Sequence, residues 1–174
     1  SSSGGTGAIN AIGAVTKSTG TGSAYLRYLD LSGNISSASG ILSIYGNSAG
    51  STINGTSFST TAGGLLRLDS GLFNLNQGES VAVTAGTLEI SGATLTTTGA
   101  SAINGAGTLF LSSGTINGTG TLTVNSGFDW STGTLSGTGT LRLNGAGRIL
   151  SGSTKALSRT LEIGGQTTAT NASG

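Results

Sequence analysis

The sequence predicts an all-β chain wound as a three-sided parallel β-helix, a β-solenoid with about 19–22 residues per coil. Three observations lead there. Short apolar pairs recur in an x-L-x-L pattern. Gly, Asn-Gly or Ser-Gly separates the runs every six or seven residues, and the runs sort into three columns with a nearly constant step.

The pairs are Leu66 and Leu68, Leu88 and Ile90, Leu109 and Leu111, Leu122 and Val124, Leu141 and Leu143, and Leu161 and Ile163. Alternation at every second residue is the signature of a strand with one buried face. Single anchors fall between the pairs, and strands this short with turns this frequent do not build an ordinary sandwich. Assigned in rotation, one column reads Ile44, Leu66, Leu88, Leu109, Phe128 and Ile149. A second reads Ile53, Phe73, Leu95, Ile116, Leu135 and Leu157, and the third Phe58, Val81, Ile103, Leu122, Leu141 and Leu161. Steps within the columns run from 19 to 23 residues. One coil of a three-sided solenoid needs about that length, each coil rising roughly 4.8 Å on the last. An antiparallel meander is the alternative, because Asn-Gly is also a hairpin signal, but hairpins do not require three-fold rotation.

Gly belongs where the chain turns a corner with positive φ, with Asn as the usual second choice. Asn54-Gly55, Asn104-Gly105, Asn117-Gly118 and Asn144-Gly145 are the expected corners. Residues 41–163 carry the regular repeat. Residues 1–40 are expected to form a cap or first irregular coils that take part in assembly, because the strand-like "AYLRYLDLS" has no settled column. Residues 164–174 are expected to fray.

Composition narrows the function. Gly, Ser and Thr fill about half of the 174 positions and only 7% of residues are charged, yet hydrophobic residues reach 34%. A linker would dilute those residues at random; their regular spacing indicates a folded chain with a narrow core. The absence of Pro leaves strand pairing uninterrupted. The absence of Cys and His removes disulfides, thiolate chemistry and their metal sites, and suits a protein exported unfolded. A net charge of +1 supplies no field for nucleic acid, and no apolar run is long enough to insert in a membrane. No basic and apolar leader opens the sequence.

No catalytic, cofactor or metal site is expected from these residues. The candidates for chemistry are few. Arg67 and Asp69 flank an inward Leu68, and Glu89 lies one coil on; Arg142 and Glu162 repeat the relation at a step of 20. An acidic-polysaccharide lyase or hydrolase would need such an outer cluster, but recurrence of the pattern favours cross-coil ion pairs that keep register. Trp130 is either an outward sugar-stacking ring beside Phe110 or an inward partner of Phe128, and the sounder match of Phe128 with Leu109 favours the inward place. Thr94, Thr115 and Thr134, with Thr96 beside them, would stack outward, as ice-binding solenoids arrange Thr. Stacked Thr also simply stabilises a sheet.

At "GTLTVNSG", "GTLRLNGAG" and "GTLEISGATL" the chain resembles the repeats of bacterial secreted β-solenoids, the filamentous-haemagglutinin-like proteins and autotransporter passenger domains. That resemblance, over about 41–163, implies a rigid rod at the cell surface with adhesive or matrix-forming roles, and carries over no functional residue. The expectation is a non-enzymatic extracellular structural or adhesive protein. Its partners would be further coils of a longer chain, other copies end-to-end, or a glycan or host-surface ligand. Ice binding through the Thr array and polysaccharide binding or cleavage are the alternatives.

Overall fold

The computed structural model describes residues 14–61, 63–150 and 153–170. Every strand pairing among them is parallel, and the strands stack as a β-solenoid of about seven turns with about 21 residues per coil. The meander alternative is thereby excluded.

The first face comprises β2 (Ser23–Arg27), β4 (Gly40–Tyr45), β6 (Gly64–Ser70), β9 (Thr87–Ile90), β12 (Thr108–Leu111), β15 (Gly127–Trp130), β18 (Gly147–Ile149) and β21 (Thr167–Ala169). The second holds β7 (Leu72–Leu75), β10 (Thr94–Thr97), β13 (Thr115–Gly118), β16 (Gly133–Leu135) and β19 (Lys155–Leu157). On the third lie β1 (Ala14–Lys17), β3 (Leu31–Ser37), β8 (Ser80–Ala85), β11 (Ser101–Asn104), β14 (Leu122–Val124), β17 (Thr140–Leu143) and β20 (Thr160–Ile163). The long β5 (Ser51–Thr60) bends around one edge, pairing with β7 through its start and with β8 through its end. It thereby joins the second and third faces into one sheet.

The alternation does what it implies: Leu66, Leu68, Leu88, Ile90, Leu109 and Leu111 are inward and at most 2% exposed, while their neighbours face out. The central columns stack as expected. Leu66, Leu88, Leu109 and Phe128 stand in register, as do Phe73, Leu95, Ile116, Leu135 and Leu157. Leu122, Leu141 and Leu161 likewise align.

Elsewhere the expected columns slip by two residues. Ile44 stands over Leu68, leaving Leu42 over Leu66; Phe58 meets Val83 rather than Val81. Ile103 meets Val124, so Leu122 covers Ser101, and Ile149 lies beside Trp130. Phe73 is matched by Ser51, not Ile53. A slip of one would have turned each apolar set outward; a slip of two keeps it inward. Apolar alternation therefore selects the face but not which of two inward positions a residue takes.

The ambiguous "AYLRYLDLS" has a definite place: Ala24 pairs with Leu42, Leu26 with Ile44 and Arg27 with Tyr45. β1 pairs with β3, and β3 in turn with β5 through a register shift at Ser32/Asn34 where the chain rounds the edge. That shift obscures the repeat in the sequence. At the other end, β21 stacks on β18.

Three of the four expected Asn-Gly corners have left-handed glycines, Gly55, Gly105 and Gly118. At Gly118, with φ 125°, a β-carbon would also collide with the Thr97 carbonyl one coil below, so no other residue fits. Gly145 differs: its φ is not positive, and its need for glycine comes from the Ser126 carbonyl against which it packs. At this edge Asn104, Asn125 and Asn144 form a ladder, each side-chain amide donating to the residue one coil before, at 2.6 and 2.9 Å. Asn104 continues it to Ser80 at 2.7 Å.

Leu122 and Leu141 are fully buried. Replacing either with Asp places an unpaired carboxylate between coils at a cost of several kcal/mol, about 3 or more. Circular dichroism of each variant is expected to lose the cooperative melt; a wild-type melting temperature in both would contradict these columns.

Candidate functional site

The three outer surfaces differ sharply in chemistry. Outward positions of the second face carry Asn74, Thr94, Thr96, Thr115, Asn117 and Thr134 in its strands. The first face carries three of the chain's seven basic residues and three of its six acids: Arg27, Arg67, Arg148, Asp69, Glu89 and Asp129. Aromatic residues segregate too. Phe58, Phe73, Phe128 and Trp130 are in the core, whereas Tyr25, Tyr45 and Phe110 lie on the first face and Tyr28 at its edge. The first face is the candidate site.

One outward column of this face reads Tyr25, Ser43, Arg67, Glu89, Phe110, Asp129, Arg148 and Thr168. Parallel stacking brings successive members within roughly 4.8 Å along the axis, so opposite charges on adjacent coils meet. Arg67 Nε donates to Glu89 Oε2 at 2.8 Å, with the Glu89 side chain only 9% exposed. Arg148 binds Asp129 through both Nε, at 2.8 Å, and Nη2, and this charged hydrogen bond raises the Arg148 pKa. Phe110, half-buried, separates the two pairs. The Asp129–Arg148 pair is not among the expected ones, although its 19-residue step lies within the 19–23 range of the columns.

A second group lies toward the N-terminal coils. The Tyr25 and Tyr45 rings are 6.0 Å apart and tilted by 54°. The Arg27 guanidinium lies 4.3 Å from the Tyr45 ring centre and 5.7 Å from that of Tyr25, within cation–π range. Tyr45 Oη donates to Asp69 Oδ2 at 2.9 Å, and this bond raises the Tyr45 pKa above its ordinary value. Asp69 reaches Tyr45 because the β4–β6 ladder slips there: Tyr45 is matched with Ser70, and Asp69 is the extra residue. Sequence spacing could not show this, since a bulge leaves no mark in the apolar alternation.

Trp130 is inward beside Phe128 and 4% exposed, so it offers no outer platform, and its Nε1–H has no partner. The inward position paired with Phe128 on the next coil is Gly147, which leaves volume for these large rings. Thr94, Thr115 and Thr134 stack in register, and Thr96 pairs with Asn117. The Thr column ends at Leu72 on one side and Ala156 on the other, so it forms a three-coil patch rather than an extended lattice. Arg142 Nε donates to Glu162 Oε2 at 2.7 Å on the third face, with both side chains about half exposed.

Arg159 is buried at a corner lined by Gly137, Thr138, Ser158 and Thr160, where its Nη2 donates to the Gly120 carbonyl at 3.2 Å, two coils back. Burial lowers its pKa. Among the described residues no three acidic side chains converge as metal ligands would. No protein-family model matches the chain, and comparison with the curated proteins and with the solved structures returned no match.

The two expected ion pairs should differ in worth. Glu162→Ala removes an exposed partner and should cost ~0.5 kcal/mol. Arg67→Ala strands the nearly buried Glu89 and should cost about 2 kcal/mol. Urea midpoints of the two variants measure the difference; equal, negligible losses would mean that Glu89 gains nothing from its pairing.

Proposed function

We propose that the chain is a non-enzymatic structural and adhesive rod, a segment of a secreted bacterial surface protein or a subunit of an extracellular fibre. The observation that carries this reading is the parallel in-register stack of about seven turns, a repeat that further coils of this chain or of another copy can extend. Leu157 and Ile163 are each 51% exposed, whereas Leu135 and Leu143, which occupy the same inward columns one coil earlier, are at most 1% exposed. These side chains continue the inward columns of the preceding coil and could be covered by one more coil in the same register. The strand edges beside them present unpaired N–H and C=O groups, and a parallel coil in the same register would bury the one and pair the other. A contact of this kind repeats head-to-tail without closing, which makes a filament rather than a ring.

Low charge supports the same reading, since little repulsion holds copies apart. Export suits a chain without cysteine, and the resemblance of its repeats to secreted adhesins points the same way. Catalysis has less support: the first-face charges are already neutralised in pairs, which suits register-keeping better than proton transfer.

Sedimentation velocity and electron microscopy across a concentration series test the proposal. The wild-type chain is expected to associate end-to-end as concentration rises. Leu157→Lys with Ile163→Lys should keep it monomeric with unchanged circular dichroism, because lysine on an open edge blocks strand addition. A wild-type chain that stays strictly monomeric at high concentration would overturn the fibre-subunit form of the reading.

A further inference from the structure

We propose that Tyr25, Arg27, Tyr28 and Asp69 form a carbohydrate-binding subsite for neutral pyranose residues of a polysaccharide. A pyranose presents a face of C–H bonds and a rim of hydroxyls. It therefore asks for an aromatic ring, a hydrogen-bond donor and an acceptor at short range. Tyr25 and Tyr28 are 57% and 51% exposed, and together with Tyr45 they gather every tyrosine of the chain at one end of the first face. Rings of this kind bind with an apolar body and a polar tip.

The polar groups are in place beside the Tyr25–Tyr45 pair, to which Tyr28 is tied by its backbone N–H. Arg27 stacks on Tyr45 and takes part in no ion pair among the described residues, so its in-plane N–H groups remain able to donate to hydroxyls. Asp69 accepts from Tyr45 through Oδ2, leaving Oδ1 to accept from a sugar hydroxyl. One cation and one carboxylate in the same cluster leave no net charge to attract an ionic ligand. That balance points to a neutral glycan over a polyuronate.

A separate observation concerns Tyr28. It is the one non-glycine residue with positive φ among the described residues, at 59°, and its N–H donates to the Tyr45 carbonyl at 2.7 Å. An aromatic residue is strained in this conformation. Glycine would adopt it freely, and this chain places glycine at thirteen other left-handed positions. The half-exposed Tyr28 ring lies outside the core, so folding does not account for a tyrosine there; contact with a ligand does.

The inference rests on the adhesive part of the function proposed above and is separable from assembly. Affinity electrophoresis and calorimetry with the whole chain would use a soluble neutral glucan, a galactomannan and a polygalacturonate. At least one neutral polymer should bind, with affinity falling about tenfold in Tyr25→Ala and in Tyr28→Gly. Tyr28→Gly should melt no lower than wild type, which separates lost binding from lost folding. Sedimentation of both variants should match wild type, so a failure of end-to-end association and a failure of glycan binding are read independently. Binding to neither neutral polymer, binding to polygalacturonate alone, or undiminished binding by both variants would overturn the proposal.

Discussion

Parallel in-register stacking is the constraint from which the other features follow. Each coil hydrogen-bonds to the coil before and after it, so a residue's surroundings are set mainly by the residues about 21 positions away. An inward position must therefore suit two inward neighbours at once. Leu88 lies between Leu66 and Leu109, and Leu95 between Phe73 and Ile116. A polar side chain in such a column would lose water on both sides and gain nothing in return. The same stacking brings Asn104, Asn125 and Asn144 into a ladder and lets Arg67 reach Glu89.

The close rise between coils also explains the abundance of glycine. At corners such as Gly118 and Gly145 a carbonyl of the preceding coil occupies the space that a β-carbon would fill. Small residues are consequently a condition of stacking rather than a sign of disorder. Where the chain must accommodate a larger group, it gives up one elsewhere: Gly147 stands beside Phe128.

A scaffold of this kind leaves its outer positions almost free of structural demands, which makes their uneven chemistry informative. Thr and Asn on the second face serve the sheet through stacking. The first face concentrates aromatic rings and charges, with most of the charge tied up in Arg67–Glu89 and Asp129–Arg148. Arg27 and the exposed tyrosines stand apart from those pairs, and the glycan subsite is proposed there for that reason.

The sequence alone determined the fold class, the coil length, and the inward residues of the central coils, because period-two alternation and a near-constant step are local and translational properties. It also placed Arg67 with Glu89 and Arg142 with Glu162, since a step of one coil is visible as a number. The tertiary structure decided the rest. Alternation is unchanged by a two-residue slip, so only packing could choose Val83 over Val81 beneath Phe58, or settle Leu42 over Leu66. Trp130 faces the core as the column that aligns Phe128 with Leu109 implies, but only the structure showed its ring 4% exposed with no partner for Nε1–H. The tyrosine cluster lay hidden for a related reason. Its members come from β2, β4 and β6, and the bulge at Asp69 and the left-handed Tyr28 that assemble it are departures from the repeat, which a periodic reading cannot register.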